Sequence, residues 1–204
     1  MTRKGFLSLE HFIAKFGASC IECVVAARDK NNDEDCYDEI EKICGLNNIY
    51  FYDRSAAYEL GKGVFCFAIS WRWLIDASNE NIIVFHDSIL PRYRGFAPLV
   101  TSLINGESKI GVTALVANRE FDQGDILLQK SCTITYPIKI SDAIDKAAIL
   151  YCDLVVELGQ KIFSGEHLDL VQQNNELATY SLWLDDEDYS INWLLGAPQI
   201  RRFI

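Results

Sequence analysis

Two short apolar runs, residues 64–70 and 81–86, constrain the fold of this chain more than any other feature. Both runs are continuous rather than alternating in hydrophobicity, which is typical of strands that are covered on both faces of a parallel sheet. Apolar residues at helical spacing follow in residues 98–104 and over residues 141–162. This succession predicts an α/β fold in which a mostly parallel, twisted sheet has helices on both faces.

Shorter signals predict the remaining elements. Further helices are expected over residues 7–16, 37–44 and 198–204, and further strands over residues 20–27, 49–52, 110–116 and 126–133. Gly45 is expected to end the second helix in the left-handed conformation, because glycine adopts positive φ without a steric penalty. Ser141 is expected to cap the long helix through its hydroxyl group.

Both ends of the chain depart from a doubly wound fold. Such a fold normally opens with a buried strand, which is usually central in the sheet, whereas here a helix is predicted almost at once. We therefore expect the first strand to be missing or truncated. We assign residues 1–180 to one domain and residues 181–204 to the truncated start of a C-terminal extension.

The charge of the chain limits its partners. A net charge of −10 and a pI near 4.7 argue against a nucleic-acid partner, which needs basic residues to neutralise phosphates. The basic residues Arg92 and Arg94 could still bind a phosphorylated small molecule. No run reaches the ~18 apolar residues of a membrane span, and residues 1–5 lack a secretory apolar core. We expect a cytoplasmic protein without a membrane partner.

The seven cysteines are expected to be reduced thiols in that compartment. Cys20 and Cys23 have the spacing of a metal-binding pair. However, both are predicted to lie in one strand, where an odd separation directs their side chains to opposite faces. We therefore predict no metal site.

One histidine and one aspartate are placed for proton transfer. His86 closes the predicted strand at residues 81–86, and Asp122 lies in a turn between two later strands. Ligands and reacting groups of an open parallel sheet gather beyond the carboxyl ends of its strands. Because a histidine can take or give a proton near neutral pH, and a carboxylate can orient it, we predict that His86 and Asp122 are a catalytic pair.

The residues around this pair form a longer pattern. The chain carries, in this order, His86, Ser88, Leu90, Pro91, Tyr93, Arg94, Gly95, Pro98, Leu99, Asn105, Gly106, Glu107, Gly111, Val112, Thr113, Asp122, Gly124, Asp125 and Ile126. In order, spacing and composition these residues resemble the catalytic half of the folate-dependent N-formyltransferase family, closest in type to its sugar N-formyltransferases. The resemblance covers residues 64–135 best and implies the Rossmann-like formyltransferase fold.

This resemblance implies a reaction and a set of site residues. Members of the family transfer a formyl group from N10-formyltetrahydrofolate to a primary amine, and they need no metal. His86 would handle the proton of the attacking amine or of the tetrahedral intermediate, while Asp122 would hold and polarise it. The donor pterin would be cradled by Trp73, Leu74, Ile75, Asn118, Arg119, Glu120, Phe121 and Asp122. The loop on the substrate side would contain Ser88, Arg92, Arg94 and Gly95. Core packing is an equal alternative for Trp73.

Val84 departs from the family pattern. The family has an asparagine two residues before the histidine, whose amide stabilises the developing oxyanion, and valine cannot donate a hydrogen bond. Loss of one such donor typically costs on the order of 10²- to 10³-fold in rate. Another donor such as Ser88, Asn118 or a backbone amide could substitute. Otherwise the protein is a slow enzyme, or a relative that binds folate or a nucleotide without catalysis.

The amine acceptor follows by elimination within the family. Members act on methionyl-tRNA, glycinamide ribonucleotide or nucleotide-linked amino sugars. Those that formylate tRNA usually carry an additional C-terminal barrel, and this chain is acidic and ends at residue 204. Purine-pathway members usually have a less arginine-rich loop than residues 92–95. We expect a nucleotide-linked amino sugar of polysaccharide biosynthesis, with a fragment of a methionyl-tRNA formyltransferase as the alternative.

Overall fold

A computed structural model describes residues 1–29, 35–73, 75 and 81–203. The helices are α1 (Arg3–Phe16), α2 (Tyr37–Leu46), α3 (Pro98–Ile104), α4 (Ile140–Ser164) and α5 (Ala197–Ile200). The strands are β1 (Cys23–Ala26), β2 (Tyr50–Asp53), β3 (Cys66–Ile69), β4 (Ile82–His86), β5 (Arg94–Gly95), β6 (Lys109–Val116), β7 (Ile126–Thr133) and β8 (Tyr180–Ser181). Two single-turn 3-10 helices, Ala18–Cys20 and Asn175–Leu177, complete the regular structure of these residues.

The strands form one larger sheet and two pairs. β3, β4, β6 and β7 are neighbours in that order. β3 and β4 are parallel, whereas β6 is antiparallel to both β4 and β7. β1 pairs with β2, and β5 pairs with β8, in both cases in parallel. Within the described residues three of five ladders are therefore parallel, and the predicted α/β class is confirmed.

The main core lies between the four-stranded sheet and α4. Successive turns of α4 present apolar residues to β6 and β7, and the same helix packs against α1. The fully buried members of this core include Ile83, Val112, Ala114, Ala143, Ala147, Tyr151, Leu154, Val155 and Leu158. Each large apolar side chain buried in this way contributes about 1.5–3 kcal/mol, so this core fixes β4, the strand that ends at His86.

Two predicted helix ends are wrong. Gly45 lies inside α2, and it is Asn48, just beyond the helix, that has positive φ (56°). Asparagine tolerates that conformation better than other non-glycine residues, so the reversal does not need Gly45. Ser141 lies within the first turn of α4, and Lys139 occupies the cap position without a side-chain hydrogen bond.

A cavity of about 630 Å³ separates β1 from β3. Its walls include Val24 of β1 and Phe67 of β3, and Phe12 of α1 and Val155 of α4 also line it. In the described parts of the chain β1 pairs only with β2, and β3 only with β4. No described strand occupies the position between them.

The described cysteines do not form a metal site. Cys20 lies in a 3-10 helix and Cys23 in β1, so the prediction that both belong to one strand is wrong. Over the residues that the structure covers, no group of three or more histidine, cysteine, aspartate or glutamate side chains could hold a metal ion. Over the same residues, no helix has both the length and the hydropathy to span a membrane.

The thiols should differ in their rate of alkylation. Burial raises the pKa of Cys44 and of Cys152 to about 11, whereas Cys20 is exposed. Because the thiolate is the nucleophile, roughly one molecule in a thousand is reactive at Cys44 or Cys152 at pH 8. After treatment with iodoacetamide at pH 8, peptide mapping should show that Cys20 is labelled before Cys44 and Cys152. In urea all three should react alike, and equal rates in the native protein would contradict this prediction.

Candidate active site

The predicted acid–base pair is assembled at the end of β4. His86 is the last residue of β4, and Asp122 lies in the turn between β6 and β7. The distance from His86 Nδ1 to Asp122 Oδ1 is 3.3 Å, and both side chains are largely buried. β6 is antiparallel to β4, with Thr113 opposite His86 and Val116 opposite Ile83, so β6 ends near the start of β4. The turn that follows β6 brings Asp122 back to His86.

Both ring nitrogens of His86 face acceptor oxygens. While Nδ1 lies near Asp122, Nε2 lies 2.7 Å from the carbonyl oxygen of Tyr93. A neutral imidazole has one N–H group and can donate to only one of these oxygens, whereas the protonated ring can donate to both. The ring can thus hold a proton at either nitrogen, which is the property required of a general acid or base.

Backbone and side-chain bonds hold Asp122 in place. Its Oδ2 accepts a hydrogen bond from the Gly95 amide (2.8 Å), and its carbonyl oxygen accepts one from Gln173 Nε2 (2.8 Å). Asp122 has positive φ (56°), which costs a non-glycine residue about 1–3 kcal/mol and persists only where the surroundings enforce it. Gly95 also has positive φ (98°), and a Cβ there would lie 2.5 Å from the Ser181 carbonyl oxygen.

Arg94 is part of the scaffold beneath the pair. Its side chain is 1% exposed, and its Nε and Nη2 donate to Gln173 Oε1 at 3.0 and 2.8 Å. Nη2 also donates to Asn175 Oδ1 at 2.8 Å. Gln173 in turn donates to the carbonyl oxygens of Asp122 and Gly124. The expectation that Arg94 could bind a phosphate is wrong, because its guanidinium is buried and its donors point into the protein.

The other loop residues also bond within the protein. Arg92 forms an ion pair with Glu107, and the Tyr93 hydroxyl donates to the same carboxylate at 2.6 Å. The Ser88 hydroxyl is buried and donates to the Arg92 carbonyl oxygen at 2.7 Å. The hydroxyl of Ser88 is therefore committed to the loop, and it is not placed to replace an oxyanion donor.

Val84 lies on the same face of β4 as His86. Side chains two residues apart point to one side of a strand, and Val84 is half-buried between Ala68 of β3 and Leu115 of β6. An apolar side chain therefore stands beside the acid–base pair at the position where the sequence predicts the loss of an amide donor.

The predicted residues of the donor cradle fall into two regions. Residues 118–121 form an accessible turn directly before Asp122, in which the Phe121 ring is 71% exposed and Asn118 Oδ1 accepts from the Arg119 amide at 2.6 Å. Glu120 is also exposed in this turn. These exposed residues can contact a ligand that approaches His86 and Asp122 from solvent.

The second region follows β3. The Trp73 ring lies 5.0 Å from the Trp71 ring, and the Arg54 guanidinium lies 4.7 Å above Trp73. Ile75 lines the cavity between β1 and β3. Leu74 lies outside the described residues. The contacts shown for Trp73 are packing contacts, so its role toward a donor stays a prediction.

Several residues that support the site carry no recognisable sequence signal. Gln173, Asn175 and Tyr151 lie far along the chain from the loop or strand that they hold. Lys4 contacts the residue after His86 from a separation of 83 positions. Thr113 belongs to the family-like pattern, and its hydroxyl donates to the Ser88 carbonyl oxygen at 2.7 Å. Of these supporting residues, only Thr113 belongs to a sequence motif from which it could have been identified.

The chain is similar to formyltransferases in sequence. The profile of the family described as formyl transferase matches residues 64–148. A methionyl-tRNA formyltransferase of Gloeothece citriformis is 42% identical over 119 residues, which are 56% of this chain and 34% of that protein. One from Buchnera aphidicola subsp. Baizongia pistaciae is 32% identical over 164 residues, 78% of this chain and 49% of that protein. The chain thus spans half or less of the length of these relatives.

Solved structures are similar over nearly the whole chain. The sugar 3N-formyl transferase WlaRD, solved in the presence of dTDP and 5-N-formyl-THF, has a TM-score of 0.80 at 20% identity and covers 98% of this chain and 74% of its own. An N-formyltransferase from Helicobacter canadensis, in complex with folinic acid and dTDP-3-aminofucose, has a TM-score of 0.78 at 20% identity, with 99% and 76% covered. At these identities the likeness establishes the fold, and the expected Rossmann-like formyltransferase architecture is confirmed.

Proposed function

Because the chain belongs to the folate-dependent formyltransferase family through residues 64–148, we propose that it transfers a formyl group from N10-formyltetrahydrofolate to a primary amine. The contact between His86 Nδ1 and Asp122 Oδ1 carries this proposal, because it provides a buried acid–base pair inside the matching region. No metal is required, since proton transfer and electrostatic stabilisation can be supplied by side chains.

The reaction requires one proton to move. The amine nitrogen forms a bond to the formyl carbon, the bond from that carbon to N10 breaks, and the proton lost by the amine is needed on N10. His86 can accept this proton and return it, because either ring nitrogen can hold it. Asp122 stabilises the ring while it is charged and fixes its orientation, in the manner of a carboxylate that supports a catalytic histidine.

The exposed turn beside Asp122 supports binding of the donor there. The Phe121 ring offers an apolar face to a flat heterocycle, and Asn118, Arg119 and Glu120 offer polar groups on the same turn. Trp73, Leu74 and Ile75 complete the proposed cradle. Their role rests on the family resemblance alone.

For the acceptor we propose a nucleotide-linked amino sugar. The likeness to sugar formyltransferases over almost all of the chain supports it, as does the net charge of −10. The burial of Arg94 and the pairing of Arg92 with Glu107 leave little free positive charge on the loop, which disfavours a polyanion such as tRNA. A cytoplasmic location and the division of the chain at residue 180, within β8, are parts of the same proposal.

Methionyl-tRNA is the second candidate acceptor. It is favoured by the sequence relatives, which reach 42% identity and carry the name methionyl-tRNA formyltransferase. The two candidates differ in the charge that the protein must neutralise. Formylation of tRNA should therefore weaken steeply as salt is raised, whereas formylation of a sugar nucleotide should change much less.

A direct assay tests both acceptors. The protein is incubated with N10-formyltetrahydrofolate and a panel of dTDP- and UDP-linked amino sugars, and separately with methionyl-tRNA, and products are detected by mass spectrometry. A sugar nucleotide that gains one formyl group, with no product from the His86→Ala variant, supports the proposal. If only methionyl-tRNA were formylated, it would replace the sugar nucleotide as the proposed acceptor. If neither acceptor gave a product, the proposed formyltransferase activity would be refuted.

Restoring an amide at position 84 should accelerate the reaction. Val84→Asn places a donor on the same strand face as His86, and we expect the rate at saturating donor to rise by on the order of 10²-fold. Val84→Leu, which changes shape without adding a donor, is the matched control. An unchanged rate in Val84→Asn would mean that another donor already serves. A rise from an undetectable rate, with no effect of His86→Ala in the native protein, would indicate a binding protein without catalysis.

A further inference from the structure

A second pair of charges lies next to His86. Asp87, the residue that follows it, forms an ion pair with Lys4 in the first turn of α1, and both side chains are mostly buried. The Lys4 Nζ atom also lies 5.3 Å from the centre of the Tyr151 ring. These three side chains, from α1, the end of β4 and α4, form one cluster, which we call the Lys4 cluster.

The Lys4 cluster holds the backbone on both sides of His86. Tyr151 is 1% exposed, and its hydroxyl donates to the carbonyl oxygen of Phe85, the residue before His86, at 3.2 Å. The rings of Phe85 and Tyr151 stack with centroids 5.9 Å apart. Lys4 holds the residue on the other side through Asp87. The cluster thus anchors the strand end that carries the ring, without contacting the ring's nitrogens.

The cluster also determines which negative charge acts on His86. Burial alone would raise the pKa of Asp87, but the Lys4 ammonium, with smaller contributions from the Tyr151 hydroxyl and from His86, lowers the pKa of Asp87 overall. Asp87 is therefore ionised, with a cation beside it. The side-chain contact that the structure shows for Asp122 is with the ring of His86 itself. Of the two carboxylates, Asp87 is next to His86 in the chain and is paired with a lysine, whereas Asp122 contacts the His86 ring.

We propose that Lys4 is a positioning residue that neutralises Asp87, so that Asp122 is the carboxylate that governs the protonation of His86. The titratable or charged groups involved are Asp122 from the turn after β6, Asp87 after β4, Lys4 from α1 and the Tyr151 phenol from α4. Tyr93 contributes a backbone carbonyl oxygen. The consequence for catalysis rests on the proposed function, whereas the electrostatic effect on His86 does not.

Removing the lysine charge should make His86 hold its proton to higher pH. In Lys4→Met the charge of Asp87 is no longer balanced, and a nearby negative charge favours the protonated ring. For one unit charge on the residue next to His86 in the chain, in a partly buried site, we expect a shift of about half to one pH unit. In Asp87→Asn the positive charge of Lys4 is no longer balanced, so the titration midpoint of His86 should move to lower pH by a similar amount.

The experiment is a proton NMR titration of the histidine rings. The chain has three histidines, so the His86 signal can be assigned by its loss in His86→Gln, and His11 and His167 serve as internal references. The protein is titrated as wild type, Lys4→Met, Lys4→Arg, Asp87→Asn and the double variant Lys4→Met/Asp87→Asn. We expect opposite shifts in the two single charge-removing variants, and a midpoint close to wild type in Lys4→Arg and in the double variant.

Other patterns would overturn the proposal. An unchanged midpoint in both Lys4→Met and Asp87→Asn would show that the cluster does not act on His86. Equal shifts in Lys4→Met and in the double variant would show a structural effect rather than a charge effect. If Lys4→Met fails to fold, Asp87→Asn still gives the direction in which the His86 titration midpoint moves. The titration contains no formyl donor, so absence of transferase activity would refute the proposed function while leaving this result unaffected.

If transfer does occur, its pH dependence gives a second measurement. The limb of the kcat/KM profile that reports deprotonation of His86 should move to higher pH in Lys4→Met, by the same amount as the NMR midpoint. The double variant should restore the profile. A uniform fall in rate across the pH range, with no displacement of this limb, would contradict the proposed role of Lys4.

Discussion

Replacing His86 by alanine is expected to lower kcat/KM for formyl transfer by about 10²- to 10⁴-fold, the usual contribution of a general acid or base. The ring is the group in contact with Asp122, and both of its nitrogens lie near acceptor oxygens that stabilise the protonated ring. Alanine removes the ring from a site that is otherwise held by backbone bonds. The measurement is the initial rate of product formation by mass spectrometry at several concentrations of each substrate.

His167→Ala is the control for this variant. His167 is exposed and contacts Asp169, which is also exposed, at 3.2 Å, so its removal should leave the rate unchanged. Donor binding, followed by quenching of intrinsic fluorescence, should be retained in His86→Ala. A loss of less than tenfold in kcat/KM, with binding intact, would show that His86 is not the group that carries the proton.

Replacing Arg94 by alanine is expected to lower the free energy of unfolding by roughly 3 kcal/mol or more. The guanidinium is 1% exposed and makes three charge-assisted hydrogen bonds to Gln173 and Asn175. Its loss leaves the amide oxygen of the buried Gln173 without these donors and opens a void. Arg94→Lys should also be destabilising, because an ammonium cannot reproduce the planar arrangement of two donors. Urea unfolding followed by circular dichroism measures the effect.

Arg92→Ala is the matched control, two positions away in the same loop. Arg92 is about half exposed and pairs with Glu107 near the surface, so its removal should cost at most about 1 kcal/mol. The comparison separates a buried arginine from an exposed one in the same segment. Similar losses of stability in the two variants would contradict the scaffold role of Arg94.

Much of the fold was predictable because its signals are local. The bounds of α3 and β7 agree with the sequence prediction, since a proline begins the helix and an apolar run marks the strand. The ends of α2 and α4 were predicted wrongly. α2 continues past Gly45, and α4 begins without a cap from the Ser141 hydroxyl. Tertiary packing, rather than the local preference for glycine or serine, determines where each of these helix ends lies.

The contact between His86 and Asp122 was expected, but the structure produces it in a different way. The sequence prediction assumed parallel strands that end at one rim, whereas β6 is antiparallel to β4 and the turn after β6 brings Asp122 back to His86. The partners of this pair were not predictable, because they are polar residues from distant segments. Gln173 and Lys4 belong to no motif, and only packing shows that they hold Asp122 and Asp87.

The sequence by itself determined the α/β class, the order of the main elements and the choice of His86 and Asp122 as the proposed acid–base pair. These follow from hydrophobic periodicity and from residue types at strand ends, which are properties of short segments. The tertiary structure alone decided that Arg94 is buried rather than free to bind phosphate, that Lys4 faces Asp87, and that a cavity separates β1 from β3. Burial and charge pairing depend on which distant segments pack together, and local patterns do not encode that.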